Sequence, residues 1–447
     1  EPLKEDVEYL INVFDDAKEY GSILEVKGID FDAIERRIDK IRNSGTNDLF
    51  ELQYRNVILD KISGLVKQGK IMSQKYDIVV TNPPYMGNGG MNDKLSEYLK
   101  EKFPNTKGDI STVFMEVCIR FCILSGYMSM INIPSWMFLK SYETLRVNII
   151  NENLIYNMLH FGRGVFGSDF GTTSFVIRNT SIGGYRGEYR KLFINQGAVD
   201  NIKIKESRFF DGINRYMAKQ DNYKKIPGCP IAYWASDNTI YLFSSECKIN
   251  KIATVFEGLK TRDNERFLRL WHEIDLDGFK KWKPYSKGGE FRRWYGNNDY
   301  VINWENEGKE IKDFKKASGK YFEHYFKNTL TWTALTIYKF SARHISDSIF
   351  GGGGSGITQL DKDIYWYVLG FLNTNIANEL LNILSSTINY EVGTIGSLPI
   401  LIDNDQLKNI NNIVQECVEI SMNDWDCYEN SWNFKKHPLL SSGIKGN

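Results

Sequence analysis

The chain has 447 residues, 42% of them hydrophobic and 25% charged, with 56 Lys+Arg against 56 Asp+Glu. That length exceeds one ordinary core and points to two or three domains of about 150 residues each. The composition is that of a globular chain, no run approaches the roughly 18 apolar residues of a membrane span, and a formal charge of zero makes local charge the quantity to read.

Glu1 is followed by alternating acidic and apolar residues without a basic or apolar leader, so no signal peptide is expected, and a start without Met reads as part of a longer chain. Val7, Leu10, Ile11 and Phe14, then Ile34, Ile38 and Ile41, recur at helical spacing and predict helices up to about residue 75, with a break at Tyr20-Gly21-Ser22. Tyr76-Asp77-Ile78-Val79-Val80-Thr81 is a β-branched run closed by prolines, which predicts a buried parallel strand. A helix is expected over 109–124, a strand over 126–133 and a helix over 142–151, the alternation of an α/β sheet. Strands at 155–161 and 172–178 are expected to pair antiparallel, because the loop between them is too short for a crossover helix.

Gly183-Gly184 reads as a boundary, and the stretch to about Phe256 as short strands and turns. From Gly258 to Arg343 there are 18 Lys+Arg against 12 Asp+Glu, interleaved with Trp271, Trp282, Trp294, Tyr295, Trp304 and Trp332. Basic and aromatic residues mixed in this way suit a nucleic-acid surface, and equally a solvated face over a tryptophan-rich core. Gly351-Gly352-Gly353-Gly354-Ser355-Gly356 predicts a flexible loop, since glycine loses the most backbone freedom on ordering. Residues 365–385 and 406–422 are expected to be helical.

The six cysteines form no ligand-like pair, and Cys118 and Cys122, four apart in apolar text, are expected to pack in the core. The five histidines lack ligand spacing, so no metal is implied. Asp16 followed by Glu25-Val26-Lys27 is a weak echo of the carboxylates and lysine of a magnesium nuclease; a solvated charged helix is the favoured reading.

The chemistry is concentrated in Asn82-Pro83-Pro84-Tyr85, delivered at the carboxyl end of the 76–81 strand, the edge where open α/β sheets bind ligands. An exocyclic amine such as adenine N6 is a poor nucleophile because its lone pair is delocalised into the ring. Two acceptors that draw on its protons, the Asn82 side-chain oxygen and the Pro83 carbonyl, would localise that pair. The two prolines hold the turn extended, and Tyr85 would stack on a base flipped from the duplex. Arg262, Lys287, Arg292, Arg293 and Lys339 are candidates for phosphate or base contact, with Arg292-Arg293-Trp294-Tyr295 behind Gly288-Gly289 the strongest cluster.

The segment from Asp77 to Tyr85 resembles motif IV of the N6-adenine DNA methyltransferases. Residues 109–124 resemble the helix of motif V, 126–131 the motif VI strand, and Gly164-Val165-Phe166 with Thr173-Ser174-Phe175-Val176 the motif VIII hairpin; Phe166 matches the family's second base-stacking aromatic, with Phe170 in reserve. Segments at 258–264, 287–297, 303–308 and 425–432 extend the resemblance to the PglX-type methyltransferases of BREX phage-defence systems, relatives of the type IIG restriction-methylation enzymes.

The resemblance implies a bacterial or archaeal cytoplasmic enzyme that methylates adenine in double-stranded DNA with S-adenosylmethionine, without metal and away from membranes, alongside other BREX proteins. It divides the chain into a helical connector (1–75), the later half of a Rossmann-like class I methyltransferase domain (76–182), a connector (183–256), a mixed α+β target-recognition domain (257–403) and C-terminal helices (404–447) leading to further sequence. No glycine-rich cofactor turn precedes Asn82, and Asp77 is at most a weak cofactor contact. The chain is therefore expected to be inactive alone. The alternatives are a recognition module without catalysis and a type IIG enzyme that also cleaves DNA.

Overall fold

The computed structural model describes residues 2–45, 48–166, 170–195, 197–275, 280–314, 322–336, 338–384 and 389–440. It divides into two compact units, one of residues 1–224 and 228–234, the other of 225–227 and 235–447.

The first unit begins with the helices Pro2–Phe14 and Phe31–Asn43, and with Leu49–Val57 running through a π turn into Ser63–Ser73. Asp30 and Asp48 start two of them by accepting hydrogen bonds from Ala33 N and Phe50 N. Leu10, Phe14, Ile34 and Ile38 meet Val66 in one apolar cluster, as their spacing predicts.

A six-stranded mixed sheet follows, composed of β1 (Tyr76–Thr81), β2 (Cys122–Asn132), β3 (Leu154–Arg163), β4 (Gly171–Arg178), β5 (Arg186–Lys191) and β6 (Arg215–Lys219). Its order is β1-β2-β4-β3-β5-β6. β1 and β2 are parallel, joined through the helices Asp93–Lys102 and Ile110–Phe121. β4 lies antiparallel between β2 and β3, so the expected hairpin forms, with register shifts in β3 between Ile155 and Asn157 and between His160 and Gly162.

Three expectations change. β1 is not a buried strand: it stands at the sheet's end with β2 as its partner, and Ile78 and Val80 on one face are 67% and 71% exposed, while Val79 on the other packs into the core. The Gly183-Gly184 boundary is a turn within the unit, because β5 pairs parallel with β3 and β6 pairs antiparallel with β5; the stretch expected as a connector from residue 183 thus contributes two strands of the sheet, with the helix Ile202–Phe210 between them. The 109–124 helix stops at Phe121, where Cys122 opens β2; both cysteines are nevertheless buried, with Cys122 Sγ against the Cys118 carbonyl.

The second unit holds two four-stranded sheets. One has the order β13 (Ile349–Phe350), β9 (Trp282–Ser286), β10 (Tyr300–Asn303), β8 (Leu268–Leu270); the other β12 (Ala342–Ile345), β11 (Thr329–Trp332), β14 (Gly356–Thr358), β7 (Thr254–Phe256). The glycine run is where the sheets meet, and it is ordered by contact rather than flexible. Gly351 N donates to Ser286 O, Gly352 N to Leu259 O, and Gly353 O accepts from Ala334 N. Any side chain on Gly351 would run into the Tyr285 hydroxyl, 2.2 Å from an ideal Cβ. Trp304 and Trp332 are core residues, which removes them from the expected aromatic surface.

The long helix expected at 365–385 is two, Lys362–Leu372 and Asn375–Leu384, broken where the Asn373 side chain turns to pair with both backbone polar groups of Ala342. The last α-helix among the described residues is Leu407–Asp426. Among the described residues no helix is long and apolar enough to cross a membrane.

Candidate active site

Register fixes what the sheet presents at its carboxyl edge. Thr81, the last residue of β1, is level with Met130 of β2, and Met130 with Phe175 of β4. Asn82 therefore leaves the sheet beside the end of β2. Pro83 is buried and anchors the turn, while Asn82 and Pro84 are exposed. The loop is tied down beyond Tyr85, where Ile110 N donates to Met86 O (3.0 Å) and Gly87 bridges to Asp109.

The Tyr85 hydroxyl lies 3.1 Å from Asn82 Oδ1 and 3.3 Å from the Ile131 carbonyl, so its one proton serves the side-chain oxygen or the end of β2. A carbonyl oxygen accepts two hydrogen bonds, so Asn82 Oδ1 keeps a lone pair for a ligand. Burial, and secondarily the Asp109 carboxylate, hold the Tyr85 hydroxyl above the ordinary tyrosine range, which keeps it a neutral donor. The ring meets Phe170 edge-on with centroids 5.5 Å apart. Phe170 is the reserve aromatic of the sequence reading; Phe166, the first choice, is 50% exposed on the same hairpin loop.

Two residues were missed. Asp109 is 8% exposed and caps the Ile110–Phe121 helix, its Oδ1 accepting from Ser111 N (2.8 Å) and Ser111 Oγ (2.6 Å). The signal was present, an Asp immediately before an apolar helical run. Asn132, fully buried at the carboxyl end of β2, donates to Ser111 O and accepts from Ile133 N, locking the strand end to that helix. Asp77 goes the other way. It sits at the amino end of β1, five residues or about 16 Å from Asn82.

In the second unit the proposed DNA contacts divide. Arg262 and Lys339 are exposed. Arg292 lies over the Trp425 ring at 4.6 Å and within 3.8 Å of Asp424, and Lys287 lies over Tyr300 at 4.4 Å. Arg293 stands over Phe291 with its Nε buried, Trp294 bridges through its backbone to Arg343, and burial raises the Tyr295 hydroxyl's pKa. This cluster is a packed junction with partial access to solvent. Asp16 and Glu25, the weak nuclease pattern, instead pair with Lys94 and Arg120. Among the described residues no group of three or more His, Cys, Asp or Glu is placed to hold a metal ion.

A family profile described as Eco57I restriction-modification methylase matches residues 9–166. The adenine-specific methyltransferase BrxX of Escherichia coli O9:H4 (strain HS) is 32% identical over 97% of this chain and 36% of its own length. The adenine-specific methyltransferase PglX of Lacticaseibacillus casei (strain Zhang) is 33% identical over 96% of this chain and 38% of its own. The chain thus spans little more than a third of the curated relatives it matches. Among solved structures, the type IIL restriction-modification enzyme MmeI in complex with DNA shares the fold, with a TM-score of 0.52 and 12% identity over 81% of this chain and 51% of that one. Nearly the whole of this chain is thus similar to the adenine-specific methyltransferases BrxX and PglX, and residues 9–166 match the Eco57I restriction-modification methylase profile.

Proposed function

We infer that the chain carries the base-clamping and target-reading parts of an enzyme that methylates adenine N6 in double-stranded DNA. The observation that carries this reading is the turn at the end of β1: an exposed Asn82 side chain, a buried Pro83 and a tyrosine ring facing Phe170, all at the carboxyl edge of a mixed sheet. A flipped adenine would enter between the Tyr85 and Phe170 rings and displace their edge contact. Its N6 protons would then go to Asn82 Oδ1 and the Pro83 carbonyl, which draws electron density back onto the nitrogen. As N6 forms its new bond to carbon, one proton leaves along those hydrogen bonds to water.

S-adenosylmethionine, when bound, supplies an electrophilic methyl group whose old bond leaves its electron pair on sulfur. Of this chain's residues, the buried Asp109 carboxylate, beside the catalytic loop and held in place by Ser111, is suited to a cofactor hydroxyl or ammonium group. In the second unit, the exposed Arg262 and Lys339 are the candidates for contact with the target duplex, while Arg292, Arg293, Trp294, Tyr295 and Lys287 would shape the surface from within.

The test is transfer of labelled methyl groups to duplex DNA by the full-length protein. Asn82→Ala should lower the rate by roughly 10²- to 10³-fold, the usual effect of removing one well-placed hydrogen-bonding group from a transition state. An Asn82→Ala protein that methylates adenine at the unaltered rate would remove the assignment.

A further inference from the structure

One half-buried cation of the first unit lacks a counter-charge among the described residues. Lys191 ends β5, its backbone in register with His160 of β3. It is half-buried, with its ammonium over the rings of Phe193 (4.8 Å) and Trp234 (5.5 Å) and no hydrogen-bond acceptor or carboxylate for it among the described residues. Ring faces attract a cation but accept none of the three protons of an ammonium in the way an oxygen does. Its neighbours at this edge are differently placed. Arg208 is paired with Asp200, Arg190 and Arg215 share Glu188, Lys205 donates to Phe161 O and Arg163 donates to Gly197 O. Glu188 and Asp200 are therefore already held by arginines. Burial pulls the Lys191 ammonium below the ordinary lysine range with nothing opposing it. An unpaired, partly desolvated cation destabilises the chain that carries it, so its presence points to an anion supplied from outside.

The sheet locates that anion. Thr81, Met130, Phe175, Met158 and Tyr189 are level across β1, β2, β4, β3 and β5. Lys191 thus lies past the same carboxyl edge as Asn82, four strand spacings or about 19 Å along it. Measured along a duplex, that is roughly five to six base pairs, well within one helical turn. We propose that Lys191 contacts a backbone phosphate of the DNA whose flipped adenine occupies the Asn82 loop. The cation would set the position of the duplex on the sheet edge and read no base. The proposal rests on the DNA reading above and adds to it a contact outside the second unit.

The test is the salt dependence of binding by the full-length protein to a fluorescent duplex, measured by anisotropy. Lys191→Gln should lower the slope of log Kobs against log[salt] by about 0.9, the share of one phosphate, and should weaken specific and non-specific duplexes alike. Lys191→Arg should restore the slope, and Lys219→Gln, at the opposite edge of the sheet, should leave it unchanged. A folded Lys191→Gln protein with the unaltered slope overturns the proposal while the DNA reading stands, and so does an equal loss at Lys219. If Lys191→Gln melts at a lower temperature and its slope is unaltered, the lysine is structural. If the unsubstituted protein binds no duplex, the DNA reading fails, and this proposal with it.

Discussion

Of all the side chains, Tyr85 combines the most roles. Its hydroxyl donates to Asn82 Oδ1 or to the end of β2, its ring faces Phe170, and its raised pKa keeps the proton in place across neutral pH. The sequence showed the tetrapeptide and its strand but not which phenylalanine completes the site. Phe166 and Phe170 are four residues apart on one short loop, and neither spacing nor composition says which will turn inward. The 5.5 Å contact with Tyr85 favours Phe170. With 2-aminopurine at the target position, Phe170→Ala should weaken capture of the flipped base by about 1 to 3 kcal/mol, whereas Phe166→Ala should have a smaller effect. The reverse order in the fluorescence titration would return the role to Phe166.

Among the elements, what was legible followed periodicity, and what was not depended on partners far along the chain. The first helices, the hairpin of β3 and β4 and the strand before Asn82 are local patterns, and each formed. The glycine run misled because its order comes from Tyr285, Lys287 and Leu259, more than 60 residues away, which no local pattern contains. Gly258 belongs to the same crossing, and an ideal Cβ there would lie 2.1 Å from the Phe350 carbonyl oxygen. Because the obstacle is backbone, Gly258→Ala should destabilise the second unit by at least the roughly 1 to 3 kcal/mol typical of overpacking, read as a lower urea midpoint. The arginine and tryptophan cluster was misplaced for the opposite reason: charge suggested a surface, while Trp425 and Phe291 offered the cations rings to pack on.

For the molecule as a whole, each unit contains a histidine held neutral by its surroundings, His160 buried and His344 partly so. Burial, with help from Lys191 and Lys205, lowers His160 to about 3, and burial lowers His344 to about 4. In the unfolded chain these rings take up protons below about pH 6.5. The unfolded state therefore binds more protons than the folded one in the window from 6.5 down to each folded value. Stability should fall with pH across it, by up to about 1.4 kcal/mol per unit for each ring. Melting temperatures across that window check this, and His160→Gln, which removes one such ring, should make the acid limb shallower.

The bare edge of β1 has a consequence for handling the chain. Ile78 and Val80 stand uncovered beside a row of main-chain groups that β2 does not pair. An extended apolar margin of this kind is a template on which another strand can zip, and it carries neither a lysine nor a proline along its length to discourage that. Copies of these 447 residues on their own are therefore expected to self-associate through that margin, read as light scattering that rises with concentration.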